Sequence, residues 1–457
     1  MARFVQTSTF PASPDELYAW HAAPGALARL SPPWQAVRRV GPEQPLAEGQ
    51  RVELRLRMGP LWVPWVAHHR DLVEGRQFVD EQVFGPFARW VHLHRFSPVP
   101  GGGALDDEID YEFRGGALAE RFGEPLVRGM LRRMFGYRHE VLRGDLERHL
   151  PWRDRPRLRV AVTGATGLVG RQFCAFLTTG GHQVLRLTRR PDPGRADEVG
   201  WDPRTGFRDP AALEGVDAVV HLAGETISGR WTPERKKEIL ESRRVGTEVL
   251  SRALAGLARP PRVLVSSSAT GFYGDRGEEA LQEDSPPGTG FLAEVCRAWE
   301  GATEPAVRAG IRVVQVRTGL VLTPAGGALA KMLPPFQLGA GGPTGSGRQY
   351  WSWISLDDLL GVLHLALQDE GLSGPVNAVA GTCSNADFAR TLGRVLGRPA
   401  LLPLPGFAVR MLLGQMGEEL LLQGARVLPG RLRERGFSFQ QADLEGALRH
   451  ELGLPRR

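Results

Sequence analysis

The segment Arg157-Leu-Arg-Val-Ala-Val-Thr-Gly-Ala-Thr-Gly-Leu-Val-Gly-Arg171 determines how the middle of this chain folds. An apolar run of strand type leads into Gly164, Gly167 and Gly170, and a helical pattern follows to Leu177. The first glycine allows a sharp turn, the second lets the backbone approach a pyrophosphate, and the third lets the helix pack closely on the strand. The free N–H groups of the helix N-terminus then face the phosphates. The segment predicts a nucleotide-binding turn; the alternative is a glycine-rich turn without a ligand.

The next strand, residues 182–188, ends in Thr188-Arg189-Arg190. NAD-binding turns of this type place an Asp or Glu about 20 residues after the glycines, where it binds the ribose hydroxyls. This strand end has no carboxylate. Two guanidinium groups suit a 2′-phosphate because each offers several donors and a full charge. The sequence therefore favours NADP over NAD; the alternative is a pair of exposed arginines at a strand end.

Strand-like and helix-like segments alternate through the rest of the middle region. We expect buried strands at 216–224, 262–268 and 311–317, and a helix at about 233–257. Such alternation predicts a parallel, doubly wound sheet, so the fold class of this region is α/β of the Rossmann type.

Residues 1–150 show a different order of elements. A capping box at 13–16 opens a short helix, alternating strands follow from Arg51 onward, and a long amphipathic helix is expected at about 124–149. A strand, short helices, an antiparallel meander and a C-terminal helix are the order of an α+β helix-grip domain. The segment resembles the START-like polyketide cyclase and lipid-transfer superfamily. The resemblance implies a cavity for a small apolar ligand between the sheet and the long helix.

Aromatic and histidine side chains of this segment are candidates for a site. His92 and His94 share one face of a strand and suit a metal ion, as do the adjacent His68 and His69. No carboxylate or cysteine follows at ligand spacing, and alternation with apolar neighbours predicts that His92 and His94 face solvent. We therefore expect no metal site. The aromatic residues expected to line the cavity, or else to form an ordinary core, are Trp34, Trp62, Trp65, Phe84, Phe87 and Trp90.

Ordered motifs at 163–170, 221–224, 269–274 and 353–358 continue toward the C-terminus. On these motifs the chain from residue 157 onward resembles the epimerase-family atypical members of the extended short-chain dehydrogenase/reductases. The resemblance implies NADP as cofactor and adds residues on successive elements to those of the glycine turn. The candidate cofactor-binding residues are Gly164, Gly167, Leu168, Val169, Gly170, Thr188, Arg189, Arg190, Leu222, Ala223, Glu238 and Arg243.

The catalytic pair of that superfamily is missing. Its catalytic members use Tyr-x-x-x-Lys, in which lysine lowers the tyrosine pKa and the phenol transfers a proton. None of the lysines, Lys236, Lys237 and Lys331, stands four residues after a tyrosine. Ser267 and Tyr273, at and just after a strand end, are the remaining candidates for chemistry. A tyrosine without lysine keeps a pKa of about 10 and is a poor base at neutral pH, so orientation or packing is the alternative role.

The pattern predicts three domains. They are a START-like ligand-binding domain at 1–150, an NADP-binding Rossmann domain at 157–400, and a small helical module at 401–457. The module resembles the domain of unknown function that closes the same atypical family, and the prolines and charges of 151–156 indicate a linker.

Composition excludes several classes of protein. The 457 residues carry a net charge of +6 without a Lys/Arg block and interleaved aromatics, so nucleic acid is not an expected partner. Three separated cysteines indicate no disulfide framework, and no signal peptide or membrane span is expected, which favours a cytoplasmic protein. Two functions remain open. One is an NADP-dependent oxidoreductase or epimerase acting on an unidentified small substrate. The other, favoured by the missing Tyr/Lys pair, is a non-enzymatic NADP(H)-responsive binding or regulatory protein.

Overall fold

The N-terminal segment is an antiparallel sheet with a long helix packed on one face. The computed structural model describes residues 1–41 and 44–455, and of Ala117 the backbone only. The elements are β1 (Ala2–Phe10), α1 (Pro14–Ala22), α2 (Ala26–Leu30), β2 (Val37–Val40), β3 (Arg51–Met58), β4 (Leu61–Val73), β5 (Gln77–Phe84), β6 (Arg89–Val99), β7 (Gly102–Glu112) and α3 (Gly116–His149). The seven strands pair in the order β1-β7-β6-β5-β4-β3-β2, which confirms the predicted helix-grip fold.

Helix α3 begins earlier than the expected residue 124. Its first turns carry Leu118 and Phe122, whose side chains remain exposed. The buried apolar stripe that indicated the helix therefore begins only after these turns. Pro125 lies inside the helix rather than at its start.

The middle of the chain forms a mainly parallel sheet. Its elements are β8 (Arg159–Thr163), α4 (Leu168–Thr179), β9 (Gln183–Thr188), β10 (Glu198–Asp202), β11 (Gly206–Phe207), β12 (Ala218–His221), α5 (Pro233–Ala255), β13 (Val263–Ala269), β14 (Ala280–Leu281), α6 (Phe291–Gly301), α7 (Glu304–Arg308), β15 (Arg312–Thr318), β16 (Leu320–Leu322), α8 (Gly327–Gln337), β17 (Tyr350–Ser355), α9 (Leu356–Gln368), β18 (Gly374–Ala378), β19 (Gly381–Ser384) and α10 (Asn385–Leu396). Eight strands pair in the order β11-β10-β9-β8-β12-β13-β15-β18, and all neighbours except β10 and β11 run parallel. The strand order reverses between β8 and β12, which is where such sheets bind ligands.

Alternate residues of β8 pack into opposite layers, as a strand requires. Val160 and Val162 join the core that α4 and α9 cover, whereas Ala161 joins the core under α5. The sheet is therefore covered on both faces, and the predicted doubly wound Rossmann fold is confirmed.

The C-terminal segment is a set of short elements. They are α11 (Gly406–Gly417), β20 (Arg426–Val427), α12 (Gly430–Glu434) and α13 (Leu444–Glu451). Helix α11 has a break at Gly414, whose φ of 60° suits glycine and few other residues. Within the described ranges, no helix combines the length and apolarity that a membrane crossing requires.

A buried ion network joins the three segments. Arg29 of α2 donates to both oxygens of Asp145 on α3, at 2.9 and 2.7 Å, and to Asp357 Oδ1 on α9, at 2.8 Å. His450 of α13 hydrogen-bonds Asp357 Oδ2 at 3.0 Å and Glu140 of α3 at 2.9 Å. Burial opposes a charge on His450, but the two carboxylates outweigh it and raise the pKa of His450 to about 10. Cations and anions therefore compensate one another inside the cluster.

Replacing Arg29 with glutamine removes the cation between two buried carboxylates. We expect Arg29→Gln to lower the free energy of unfolding by about 3–5 kcal/mol, because breaking a buried pair leaves uncompensated charge. Urea denaturation followed by circular dichroism measures the change. Arg390→Gln is the matched control, since the Arg390 side chain is 70% exposed and its pair with Asp387 contributes at most about 1 kcal/mol. Equal losses in the two variants would contradict the importance of the network.

Candidate nucleotide site and N-terminal cavity

The glycine turn lies at the carboxyl end of β8. Gly164 has a φ of 65°, and a Cβ there would lie 2.9 Å from the carbonyl carbon of Leu222. A Cβ on Gly170 would lie 2.2 Å from Gly164 O, so only glycine allows α4 to approach the turn this closely. Gly167 caps α4, and its N–H donates to Gly164 O at 2.9 Å. The turn has the tight shape that the sequence predicts.

The first turn of α4 supplies donors and no carboxylate. Leu168 and Val169 are its first residues, and their N–H groups have no carbonyl four residues earlier within the helix. This turn contains no acidic side chain, so nothing within it offsets the partial positive charge of the helix N-terminus. Gly326, just before α8, lies against the Leu168 side chain. The geometry suits an anionic group.

A buried hydrogen-bond chain positions the adjoining loop. Leu222 and Ala223 donate their N–H groups to Thr163 Oγ1 at 3.1 and 3.2 Å. The Thr163 hydroxyl then donates to His221 Nδ1 at 2.7 Å, and His221 Nε2 donates to Thr247 Oγ1 at 3.0 Å. Burial lowers the pKa of His221 to about 3, so the ring is neutral. Sequence reasoning identified the loop but missed this chain, because Thr247 belongs to the following helix.

Thr188, Arg189 and Arg190 lie at the end of β9, the strand beside β8. Both arginine side chains are exposed, and in the described part of the chain neither guanidinium makes an ion pair. Arg186, by contrast, pairs with Asp197. Two uncompensated cations therefore stand at the strand end next to the glycine turn.

The two candidates on α5 differ in position. Glu238 is exposed and accepts a hydrogen bond from Arg235 at 2.8 Å. Arg243 is half-buried, with its guanidinium carbon 4.9 Å from the ring centroid of Trp299. A Cβ on Gly224 would lie 3.3 Å from that carbon. Arg243 therefore lies directly beside the 222–224 loop, and Glu238 lies farther out on the helix surface.

The two candidate catalytic residues, Ser267 and Tyr273, lie in different environments. Tyr273 is fully buried, and its hydroxyl lies 2.8 Å from Asn377 Oδ1 and 2.9 Å from Gln282 O. Arg317 donates to the same hydroxyl at 2.9 Å. Burial raises the pKa of Tyr273, so the phenol keeps its proton at neutral pH. Its surroundings give Tyr273 a packing role and do not support the predicted catalytic one. Ser267 is partly exposed at the end of β13.

The N-terminal segment encloses a cavity of about 460 Å³ between α3 and the sheet. Of the aromatic residues expected there, Trp65, Phe87 and Trp90 line it. Trp34 instead packs on Tyr137, and Phe84 is exposed. Apolar side chains form most of the remaining wall, among them Val52, Leu54, Leu56, Leu126, Met130 and Met134.

The expectation that His92 and His94 face solvent is wrong. They are 5% and 6% exposed and line the cavity. Asp107 on β7 lies 2.8 Å from His92 Nε2 and 2.7 Å from His94 Nδ1, and it also contacts His139 of α3 at 2.7 Å. The alternation of residue types along β6 distinguishes the two faces of the strand but does not show which face is buried. The buried carboxylate of Asp107 on the neighbouring strand β7 contacts both histidines, so their face is the buried one.

Models of three protein families match separate parts of the chain. The NAD dependent epimerase/dehydratase family matches residues 160–379, a domain of unknown function matches 404–451, and the polyketide cyclase / dehydrase and lipid transport family matches 1–147. An epimerase family protein of Mycobacterium tuberculosis is 44% identical over 300 residues, which are 65% of this chain and 98% of the relative.

Two solved structures resemble the chain. The nucleoside-diphosphate sugar epimerase of Corynebacterium glutamicum superposes with a TM-score of 0.80 and is 34% identical, over 98% of this chain and 90% of that protein. A human epimerase family protein, crystallised with NADPH, has a TM-score of 0.59 and is 36% identical, over 64% of this chain and 98% of that protein. The chain therefore belongs to the NAD(P)-binding epimerase family and carries in addition a polyketide cyclase-like N-terminal domain.

Proposed function

We propose that this protein binds NADP(H) at residues 164–170 and acts as an NADP-dependent oxidoreductase or epimerase. The observation that carries the proposal is the pair Arg189 and Arg190, which have no ion-pair partner among the described residues and lie near the helix N-terminus that follows the glycine turn. A 2′-phosphate needs cationic partners at this strand end, and guanidinium groups bind it with several donors each. The NADPH in the crystal structure of the human relative supports this choice of cofactor.

The chemistry of the site would differ from that of the Tyr-x-x-x-Lys enzymes. Bound NADP(H) supplies hydride transfer, whereas the chain contributes binding and orientation. The Tyr273 hydroxyl is held by Arg317 and Asn377, so it is not free to exchange protons with a substrate. Ser267 is the remaining hydroxyl at the strand end and would orient a substrate by hydrogen bonding. Lys331 of α8 donates to Ser228 Oγ at 2.8 Å, which connects α8 to the loop that follows β12.

The second candidate is a non-enzymatic protein that responds to NADP(H). The buried position of Tyr273 favours it, because this hydroxyl is occupied by Arg317 and Asn377 and is not available as a proton donor. Helix α4 gives it a physical route: its first turn faces the nucleotide site, while Gln172 on the same helix accepts a hydrogen bond from Arg29 at 3.1 Å and donates to Ala28 O at 3.2 Å. Occupancy at one end of α4 would then affect the N-terminal domain at its side.

The ligand of the N-terminal domain would be a small, mostly apolar molecule. A cavity of about 460 Å³ suits such a molecule, since small-molecule sites measure about 300–1,000 Å³. Leu126 and Met130 of α3 line the cavity and are also 75% and 43% exposed, so an apolar edge surrounds the entrance.

Removing the two arginines tests the choice of cofactor. In Arg189→Gln/Arg190→Gln we expect NADPH affinity to fall about 10- to 100-fold, because a hydrogen bond to a charged group contributes about 1.5–3 kcal/mol. NADH affinity should not change. Fluorescence titration with each nucleotide measures both, and Arg308→Gln on α7 is a surface control. Equal affinity of the unaltered protein for NADPH and NADH would contradict the assignment.

The close approach of α4 gives a second test. Gly170→Ala places a Cβ 2.2 Å from Gly164 O, so the turn must move. We expect NADPH binding to weaken at least about 10-fold, since a backbone donor displaced by 1 Å loses its hydrogen bond. Gly301→Ala on α6 is the matched control, because its Cβ meets nothing within 4 Å. Unchanged binding by Gly170→Ala would show that phosphates do not occupy this turn.

Isotope transfer separates the two functions. We expect deuterium to move stereospecifically from nicotinamide C4 of labelled NADPH to a substrate, identified among apolar molecules that co-purify with the protein and in a panel of nucleotide sugars. Mass spectrometry of the products measures the transfer. Tight NADPH binding without transfer to any compound, together with a molecule retained in the N-terminal cavity, would support the binding protein instead.

A further inference from the structure

We propose that the polar end of the N-terminal cavity binds a divalent first-row transition ion through His69, Asp80, His92 and His94. Asp80, His92 and His94 each offer one donor atom, and the three atoms lie within 4.8 Å of one another. His69 Nε2 lies 3.1 Å from Asp80 Oδ1. All four residues line the cavity. Imidazole nitrogens with one carboxylate oxygen form a donor set that Zn²⁺ takes in proteins.

Each of these histidines has one ring nitrogen close to an oxygen of a second residue, and for His69 and His92 this contact is a hydrogen bond. His69 Nδ1 is 3.0 Å from Gln50 Oε1. His94 Nδ1 and His92 Nε2 are 2.7 and 2.8 Å from the same oxygen of Asp107. Metal-binding histidines almost always donate their other N–H to a carboxylate or another oxygen, which orients the ring and leaves the remaining nitrogen as ligand. The arrangement therefore supplies ligands and their supporting partners together.

The carboxylate of Asp80 is not fully used by the protein. Its Oδ1 is enclosed and makes no well-aligned hydrogen bond, and its Oδ2 lies 3.4 Å from His94 Nε2, a long contact. The Asp80 side chain is 29% exposed, toward the cavity that it lines. An ion would satisfy this oxygen and could take, as a further ligand, an oxygen atom of a molecule in the cavity. Metal binding itself does not depend on the apolar ligand proposed above.

A second cluster, His149, His182 and His364, lacks features that a metal site requires. Its donor atoms also lie within 4.8 Å of one another. The N–H of Leu158, however, donates to His182 Nδ1 at 3.0 Å, so His182 carries its proton on Nε2 and cannot use that nitrogen as a ligand. No carboxylate belongs to this group in the described part of the chain. We assign it to packing between α3, α4 and α9.

Titration of chelator-stripped, tag-free, full-length protein with Co²⁺ tests the site. We expect one equivalent to bind, with visible d–d absorption, and Zn²⁺ to displace it. Asp80→Asn and His94→Gln should weaken binding at least about 10-fold, because even the loss of a supporting partner costs 10- to 100-fold. Circular dichroism during thermal unfolding reports whether each variant is folded. His68→Gln is the matched control, since His68 neighbours His69 but does not line the cavity.

Three results would overturn the proposal. They are no stoichiometric Co²⁺ or Zn²⁺ binding by the unaltered protein, unchanged binding by a folded Asp80→Asn variant, and loss of binding in His364→Gln with retention in Asp80→Asn. If the cavity variants do not fold, X-ray absorption of the Zn²⁺-loaded unaltered protein decides. Imidazole nitrogens with a carboxylate oxygen support the site, and sulfur ligation or a fully hydrated ion contradicts it.

Discussion

The contact between Arg29 and Asp357 holds the three parts of this protein in one arrangement. The two side chains are 2% and 10% exposed, so the contact forms in an environment where an unpaired charge is costly. Arg29 also reaches Asp145 on the long helix, and His450 binds the other oxygen of Asp357. Arg29, Asp357 and His450 each have a partner on a different segment. Movement of one segment would therefore leave charges of the others uncompensated.

The buried contacts of Arg29 connect the N-terminal domain to the domain that carries the glycine turn. The glycine turn and the N-terminal cavity are formed by different segments. Helix α4 begins at the glycine turn, and its residue Gln172 accepts a hydrogen bond from Arg29 of the N-terminal segment. At the ends of β13 and β15, Arg317 donates two hydrogen bonds to Glu300 and one to the Tyr273 hydroxyl. The same buried network fixes the position of the Tyr273 hydroxyl, and the catalytic role of this tyrosine stays a prediction.

Sequence reasoning succeeded where a few neighbouring residues determine the geometry and failed where distant partners decide. The tight turn at Gly164 and Gly170 follows from local sterics, and the structure contains this turn. The assignment of these residues to a cofactor, like the domain limits, stays a prediction. His92 and His94 were placed on the wrong face because Asp107, which holds them, belongs to another strand. In the sequence, Asp357 is only one residue of the motif at 353–358, since nothing near it indicates a contact with Arg29.

The sequence by itself determined the Rossmann alternation, the helix-grip order of the N-terminal domain and the absence of a Tyr-x-x-x-Lys pair. These depend on backbone preferences, side-chain periodicity and the simple presence of residues. Only the tertiary structure decided that Tyr273 is buried, that Asp357 joins three segments, and that three histidines and Asp80 meet at one end of a cavity. These properties depend on which polar side chains become buried next to one another. Packing between elements far apart in the chain decides this, because a buried polar group is stable only with its partner in place.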